Sequence, residues 1–394
     1  MKPLDGVTVI DLTRILSGPY ATMIMADFGA TVIKIERPGT GDDSRSYGPY
    51  VKNESAYFMS VNRGKKSVTV DLQKQEGKTL FKKMAGKADV VIENFRPGTM
   101  EKLNLGYEVL KKENNRLIYV SVSGFGQEGP YALKPAYDII IQAMSGIISV
   151  TGPDGGPPSR VGTSIGDIVP GMFAVIGTMM ALLHRHTSGL GQKLDISMFD
   201  GLIAVLENAI ARYQVNGEIP KPIGNRHPSI TPFDSFSVKD GEIIVVAGSE
   251  KLWEKLCRVI GKPEILSDPR FMDYQERHKN HKILKEILNE YFSRWNISEA
   301  LEILEGEGIP CSSINSVDRL FNDPHVRARE MLIDIEHPIA GIMKFAGIPI
   351  KMDITPGSVQ APAPLLGQHT EEVLKKFVGL SADEIESLRK DQVI

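Results

Sequence analysis

Apolar and polar positions alternate in blocks along the first third of the chain. Continuous apolar runs, typical of buried strands, cover residues 8–12, 31–37, 66–72, 88–95 and 116–126. Segments with helical spacing lie between several of them, at residues 19–29, 75–85 and 99–103. Because the strands are apolar at successive positions, both of their faces are expected to be covered. This order predicts an α/β fold built on an open, mostly parallel sheet.

A helix of another kind is predicted at residues 167–185, which are apolar on nearly every side. Such a helix belongs in a large core. Asp167 directly precedes Ile168, where the helix is expected to begin, and is therefore expected to be the N-cap of this helix. Gly166, which has no side chain, should allow close approach of the backbone. A carboxylate there is expected to stay ionised, because the helix dipole favours an anion. Asp167 is then either a simple cap or, in a partly dry pocket, a nucleophile.

The second half of the chain has a different organisation. Residues 214–232 are rich in Gly and Pro and read as a linker. A hairpin is expected around Asp240 and Gly241, followed by helices and a strand at 308–315. Paired strands are expected within 331–352. Two final helices are expected near 370–378 and 382–391, with Thr370 and Ser381 as N-caps.

Composition excludes several classes of protein. The 394 residues carry 46 Lys and Arg against 49 Asp and Glu, a net charge of −3, so neither nucleic acid nor a membrane surface is an expected partner. Two cysteines fit a reducing, cytoplasmic location and cannot form a disulfide framework or structural zinc site. No signal peptide and no apolar run of about 18 residues is evident. No metal-binding pattern is found, since His184 and His186 would point in different directions on a helix.

The segment GFGQEG at residues 124–129 matches a dinucleotide-binding pattern. That site needs a helix to begin at the third glycine and receive the pyrophosphate. Pro130 and Pro135 follow instead. A tight loop at a strand end, with its backbone exposed, is the favoured interpretation.

Basic residues recur where the predicted parallel strands end. Arg14, Arg37 and Arg96 follow three strands, and Lys102 lies in the next helix. Each alone is most simply a solvated surface charge. Together, at one edge of an open sheet, they suit a polyanion with separated phosphates. Asn94 could add hydrogen bonds to a heterocycle or amide, whereas Glu36 and Asp138 are expected to pair with an Arg or Lys.

The combined motifs resemble those of the family III CoA-transferases, the formyl-CoA and carnitine CoA-transferase type. The resemblance covers essentially the whole chain in the same order. It is carried by KPLDGVTVIDLTR, FGATVIKIERPGTGD, NRGKKSVTVDL, DVVIENFRPGT, YVSVSGFGQEGP, AYDIIIQAMSG, GDIVPGMFAVIGTMMALLHRHTSGLGQKLDISMFDG and APAPLLGQHTEEVL. No single motif is specific, but the set is.

The resemblance implies a Rossmann-like large domain made from both chain ends, and a small α+β domain from the middle. Two linkers would make each monomer an open ring, and two rings would interlock as an obligate homodimer. The expected boundaries are 1–213 and 346–394 for the large domain, 214–232 and 326–345 for the linkers, and 233–325 for the small domain.

The resemblance also implies an activity. CoA would pass from an acyl-CoA donor to a small carboxylic acid through an anhydride and a CoA thioester on Asp167, with no covalently bound cofactor. Acyl-CoA and the acid are thus the expected partners. The residues expected to bind CoA are Arg14, Arg37, Asn94, Phe95, Arg96, Lys102 and Tyr137.

Alternatives and departures accompany the resemblance. The α-methylacyl-CoA racemases resemble this chain too, but they use a histidine where Tyr137 stands, and a phenol of ordinary pKa, about 10, is a poor α-proton base. A catalytically silent CoA-binding protein is a third interpretation. The glycine run of formyl-CoA transferase is replaced by AGSEKLW at 247–253, which argues against formate or oxalate. Residues 224–236 suggest a succinyl-CoA donor, with Arg226 or His227 pairing with a distal carboxylate.

Overall fold

The computed structural model describes residues 1–394, which divide into two compact units. The first comprises Met1–Ile147, Arg160–Val215 and Pro324–Ile394, and the second comprises Ile148–Ser159 and Asn216–Asp323. The first unit therefore draws on both ends of the chain. The second consists mainly of its middle.

The strands, in chain order, are β1 (Thr8–Asp11), β2 (Thr31–Glu36), β3 (Tyr50–Val51), β4 (Glu54–Ser55), β5 (Lys66–Thr69), β6 (Val90–Glu93), β7 (Ile118–Ser123), β8 (Lys193–Ser197), β9 (Phe233–Val238), β10 (Gly241–Val246), β11 (Cys311–Ser313), β12 (Leu332–His337) and β13 (Gly341–Ala346).

The helices are α1 (Ser17–Asp27), α2 (Ala56–Asn62), α3 (Gln75–Ala85), α4 (Thr99–Lys102), α5 (Tyr107–Glu113), α6 (Asp138–Ser145), α7 (Ile147–Val150), α8 (Ile165–Ser188), α9 (Met198–Ala204), α10 (Glu207–Asn216), α11 (Glu250–Val259), α12 (Tyr274–Lys279), α13 (His281–Phe292), α14 (Ile297–Gly306), α15 (Val317–Leu320), α16 (Pro324–Ala328), α17 (Thr370–Val373) and α18 (Ala382–Lys390). Short 3₁₀ segments occupy Asp43–Ser46 and Pro263–Ser267, and a π turn occupies Leu374–Val378.

The first unit is built on a six-stranded sheet in the order β5-β2-β1-β6-β7-β8. Every neighbouring pair in it is parallel. The predicted α/β fold with an open parallel sheet is therefore confirmed. The strand order reverses between β1 and β6, and in such sheets ligands bind beyond the carboxyl ends of the strands at this point.

Apolar residues cover both faces of this sheet. On one face the side chains of Ile10, Ile33, Val68 and Val91 pack with α3 and the final helices. On the other face, neighbouring strand positions pack against α1 and α8. Strand residues on both faces are almost completely buried, which explains why the strands read as continuous apolar runs.

Helix α8 is less completely buried than predicted. It is long and apolar enough to cross a membrane, with a mean hydropathy of 1.7, so the expectation that no segment reaches that length was wrong. One side packs on α1, α9 and the strands β7 and β8. Arg185 on this side lies 2.8 Å from Asp89. The other side exposes Met172, Ile176, Met180 and Leu183.

The second unit has its own sheet and core. Strands β9, β10 and β11 form an antiparallel sheet, and the predicted hairpin around Asp240 and Gly241 joins the first two. Helices α11, α13 and α14 cover it, burying Trp253, Leu288 and Phe292. An α+β arrangement follows for this part of the chain.

Expected local features near the C-terminus are confirmed in part. The paired strands expected within 331–352 are the β12–β13 hairpin, paired from Leu332 opposite Ala346 to His337 opposite Gly341. Thr370 is not an N-cap, because α17 begins at Thr370 and His369 is its N-cap residue. The Thr370 hydroxyl instead accepts the N–H of Thr69. Ser381 does cap α18, in a reciprocal pair with Glu384.

Candidate active site

Asp167 lies in the first turn of α8. The helix begins at Ile165 and its N-cap is Ser164, whose side chain makes no capping hydrogen bond. The prediction that Asp167 itself is the N-cap was wrong, because Gly166 and Asp167 already have helical geometry and the Asp167 N–H donates to the Ser164 carbonyl. The carboxylate is thus free of a capping role. It borders a cavity.

A second carboxylate stands beside this turn. One oxygen of Asp138, at the start of α6, accepts the N–H of Gly166 at 2.8 Å. Both Asp138 oxygens accept from Gln142 Nε2 at 2.9 Å, and Arg160 lies 3.5 Å away. A Cβ at Gly166 would stand 2.8 Å from the same Asp138 oxygen. The expected close approach at Gly166 is confirmed, as is the pairing of Asp138 with an arginine.

Burial, and after it the neighbouring negative charge of Asp138, together raise the pKa of Asp167 to about 7. The expectation that Asp167 simply stays ionised was therefore wrong. Near neutral pH the acid and the carboxylate are both well populated, which is typical of groups that take part in catalysis. The charge of Asp167 also acts on Tyr57. Its pKa is raised to about 12, by burial first and by Asp167 next.

The cavity at Asp167 measures about 210 Å³ and lies beyond the ends of β1, β6 and β7. Five of the residues expected to bind CoA share its wall with Asp167: Arg14, Asn94, Phe95, Arg96 and Tyr137. The site thus lies at the reversal of strand order, where ligands bind in open α/β sheets.

Arg14 and Asn94 hold the loops after β1 and β6 together. The Arg14 N–H donates to Asn94 Oδ1, and Asn94 Nδ2 donates to the Arg14 carbonyl, both at 2.8 Å. The amide of Asn94 is therefore engaged with backbone. The guanidinium of Arg14 lies 5.2 Å from the centre of the Phe95 ring and 3.0 Å from Asp43.

The residue after Arg14 adopts an uncommon backbone conformation. Ile15 has φ of 68°, which is strained for a β-branched side chain. Its N–H donates to the buried carboxylate of Asp42, which in turn lies 2.8 Å from Lys34. Buried charge thus fixes the loop that presents Arg14 to the cavity.

A second cavity of about 220 Å³ lies next to the first. Arg14 and Phe95 border both, and Arg37 borders the second. Arg37 and Arg96 are exposed. Lys102 is also exposed but borders neither cavity.

The structure adds residues that the sequence did not single out. Ser123 is buried at the end of β7, borders the Asp167 cavity, and its hydroxyl has no hydrogen-bond partner. Lys134 borders the same cavity. The position of Ser123 at a strand end, directly before the 124–129 loop, is the signal that could have identified it.

The 124–129 loop has the predicted form. Gly126 and Gly129 have φ of 83° and 89°, and no helix begins between this loop and Asp138. The N–H of Gln127 donates to Asp195 at 2.8 Å. No group of three or more His, Cys, Asp or Glu residues is arranged to hold a metal ion.

Comparison with known proteins gives consistent results. Residues 4–370 match the profile of CoA-transferase family III. The chain is 44% identical to an acetyl-CoA:oxalate CoA-transferase from Acetobacter aceti, over 96% of this chain and 97% of the relative. It is 38% identical to a succinyl-CoA:glutarate CoA-transferase from Mus musculus, over 100% and 91%.

A solved structure agrees. A CaiB/BaiF family protein from Brucella suis superposes with a TM-score of 0.84 at 38% identity, covering 94% of this chain and 98% of that protein. The family profile spans nearly the entire chain, and the relatives match over nearly their full length. The chain therefore belongs to CoA-transferase family III.

Proposed function

We propose that this enzyme transfers CoA from succinyl-CoA, or a similar short acyl-CoA, to a small carboxylic acid, with Asp167 as the nucleophile. The observation that carries the proposal is the position of Asp167. It shares one cavity with Arg14, Asn94, Phe95, Arg96 and Tyr137. No covalently held cofactor is needed, because the carboxylate itself relays the acyl and CoA groups.

The proposed relay has four steps. A carboxylate oxygen of Asp167 attacks the donor thioester, the carbon–sulfur bond breaks, and a mixed anhydride and CoA thiolate result. The thiolate then attacks the Asp167 carbonyl, releasing the donor acid and leaving an aspartyl-CoA thioester. The acceptor carboxylate attacks that thioester, giving a second anhydride and free thiolate. Attack of the thiolate on the acceptor carbonyl yields the new acyl-CoA and restores Asp167.

The environment of Asp167 suits these steps. The side chain is partly buried, so water competes less for the activated intermediates. A raised pKa, about 7, makes the carboxylate more basic and more nucleophilic than an ordinary one. Backbone N–H groups of the loop beginning at Gly124, which borders the cavity, are proposed to stabilise the tetrahedral oxyanions.

For CoA we propose a path through the two neighbouring cavities. Arg14 and Phe95 border both, so a ligand can pass along them from Asp167 toward Arg37. The separated phosphates would meet Arg14, Arg37 and Arg96, and Lys102 would act from outside the cavities. Asn94 is proposed to act by fixing the Arg14 loop.

The choice of acids follows the relatives' names. Succinyl-CoA and acetyl-CoA appear as donors in those names, and small acids as acceptors. One relative, 44% identical, is named for oxalate. Oxalate therefore belongs among the acceptors to be tested, despite the missing glycine run. The racemase alternative is not favoured, because the named relatives are CoA-transferases and Tyr137 replaces the expected histidine.

We further propose a homodimer in the cytoplasm, with the middle of the chain as the small domain. The exposed side of α8 supports it: Met172, Ile176, Met180 and Leu183 form an apolar stripe at helical spacing. A dimer would have about twice the 43.4 kDa mass of the chain. Light scattering after gel filtration measures this mass, and a monomer at micromolar concentration would contradict the proposed homodimer.

One experiment tests the reaction and names its acceptor. The enzyme is mixed with succinyl-CoA and a panel of acids, including glutarate and oxalate, in D₂O, and the CoA esters are identified by mass spectrometry. A new ester with the mass of an acceptor supports transfer. Deuterium at the α-carbon of a 2-methylacyl-CoA, without acyl exchange, would indicate a racemase instead.

A further inference from the structure

A buried carboxyl group lies at the end of β6, directly before the loop Asn94–Arg96. Glu93 is only 4% exposed and borders neither of the two neighbouring cavities. Because side chains two positions apart on a strand share a face, Glu93 points to the same side of the sheet as Val91, which belongs to the apolar core there. An ionisable side chain in such a core is uncommon, so its contacts call for an explanation.

Both hydrogen-bond partners of this carboxyl are neutral groups. Glu93 Oε2 accepts the N–H of Phe95 at 2.8 Å. Ser121, which lies opposite Glu93 on β7, binds the carboxyl through its hydroxyl. Burial raises the pKa of Glu93 to about 7, against the two hydrogen bonds, which lower it. The charged and the neutral form can both accept the Phe95 N–H, since an uncharged carboxyl keeps an acceptor oxygen and can donate its proton to Ser121.

The bond to the Phe95 N–H fixes a loop that carries expected CoA-binding residues. The Phe95 ring borders both cavities and lies 5.2 Å from the guanidinium of Arg14. The preceding residue, Asn94, exchanges two hydrogen bonds of 2.8 Å with the backbone of Arg14. The Glu93 carboxyl thus holds the peptide between the two residues that contact Arg14.

We propose that Glu93 is a positioning residue for CoA binding. Its carboxyl fixes the loop Asn94–Arg96 through the Phe95 N–H, so that Phe95 and Arg14 are already in place along the CoA path. A carboxyl in an apolar core costs stability, and this loop-fixing role explains why one is present at the end of β6. The inference rests on the proposed CoA path, and it concerns affinity for CoA rather than the reaction at Asp167.

The test removes the acceptor while keeping the length of the side chain. In Glu93→Met no strong acceptor remains for the Phe95 N–H. Isothermal titration of the full-length protein with CoA should show a dissociation constant about five- to tenfold higher than that of the wild type, as loss of one positioning hydrogen bond allows. In Glu93→Gln the amide oxygen still accepts from Phe95 and the amide nitrogen can donate to Ser121. Its affinity should stay within about twofold of the wild type.

Two controls separate this role from a general effect on the fold. Glu108→Gln removes an exposed carboxylate on α5 and should leave CoA affinity unchanged. Thermal unfolding is measured for every variant. A lower melting temperature of Glu93→Met with unchanged CoA affinity would reduce Glu93 to a structural residue and overturn the proposal. If Glu93→Met does not fold, Glu93→Leu, which also lacks an acceptor, replaces it with the same expected loss of affinity.

A comparison with Arg14→Gln distinguishes failure of this inference from failure of the proposed CoA path. Weaker CoA binding in Arg14→Gln, but not in Glu93→Met, would overturn the role of Glu93 and leave the path standing. Unchanged binding in both variants would overturn both. An equal loss of affinity in Glu93→Gln and Glu93→Met would also contradict the proposal, because the glutamine keeps the acceptor oxygen.

Discussion

Asp138 Oδ1 accepts the backbone N–H of Gly166 at 2.8 Å, directly before Asp167. The same carboxylate that fixes the first turn of α8 therefore places a negative charge near the proposed nucleophile. That charge, together with burial, raises the pKa of Asp167 to about 7. Position and reactivity of Asp167 are thus coupled through one side chain.

Replacing the nucleophile should stop transfer. In Asp167→Asn the amide cannot form the anhydride, so kcat is expected to fall at least about a thousandfold. Asp200→Asn, an exposed acid in α9, is the matched control and should retain activity. Initial rates of acyl-CoA exchange measure both.

A chemical trap checks the same assignment. Wild-type enzyme treated with acyl-CoA and hydroxylamine should carry a hydroxamate on the peptide that contains Asp167. The Asn variant should carry none. A hydroxamate on a different acidic residue would contradict the assignment.

Asp167→Asn should also stabilise the folded protein at high pH. The pKa of Asp167 rises from 3.8 to about 7 on folding, so the folded state holds more protons between these values and loses stability as pH rises through them. Above pH 7 the full penalty applies, at most about 4 kcal/mol. Asp167→Asn should therefore raise the free energy of unfolding at pH 8 and change it little at pH 4.

Denaturant titrations at the two pH values measure the difference, with Asp200→Asn as the control. An equal effect of Asp167→Asn at pH 4 and pH 8 would show that burial of the charge is not the cause. A larger stabilisation at pH 8 than at pH 4 would show that the proposed nucleophile lowers the stability of the folded protein, as functional sites often do.

The rate should depend on pH in a defined direction. Because the carboxylate is the reactive form, kcat/KM should rise as pH increases through about 7 and then level off. Asp138→Asn removes the neighbouring charge but keeps an oxygen that can accept the Gly166 N–H. Its profile should shift to lower pH, and an unchanged profile would exclude the coupling.

Space at Gly166 should be essential. In Gly166→Ala the added carbon would lie 2.8 Å from Asp138 Oδ1 and 3.1 Å from the Asp138 carbonyl oxygen. We expect a loss of about 1–3 kcal/mol in stability and a fall in kcat through displacement of Asp167. Gly162→Ala, where nothing lies within 4 Å, is the control. Thermal unfolding and initial rates distinguish the two variants.

The sheet could be predicted closely from the sequence. Strands expected at 31–37 and 66–72 occur at Thr31–Glu36 and Lys66–Thr69, because both faces of the sheet are covered and most positions in each strand are buried. The loop residues Arg14 and Arg96 were found because strand ends in such a sheet meet at one edge.

Other features depend on contacts that no local pattern encodes. Tyr57 and Ser123 reach the site through tertiary packing, and each is a single polar residue without a motif. The start of α8 was predicted too late in the chain, because Gly166 is a poor helix former. In the structure the Gly166 N–H donates a hydrogen bond to Asp138, which holds Gly166 in helical geometry. The β12–β13 hairpin, by contrast, was expected from the paired apolar segments within 331–352.

The arginines at the strand ends should contribute to affinity rather than to chemistry. Arg14→Gln and Arg96→Gln are expected to raise KM for the CoA thioester about five- to tenfold each, with kcat nearly unchanged, because they would bind charges that do not change during the reaction. Lys102 borders neither cavity, so Lys102→Gln should have a smaller effect. Lys83→Gln, an exposed charge on α3, serves as the control. Steady-state kinetics at two salt concentrations should show that the wild-type KM rises with salt and that the variants' KM rises less. A fall in kcat with KM unchanged would instead assign these arginines to the reacting centre.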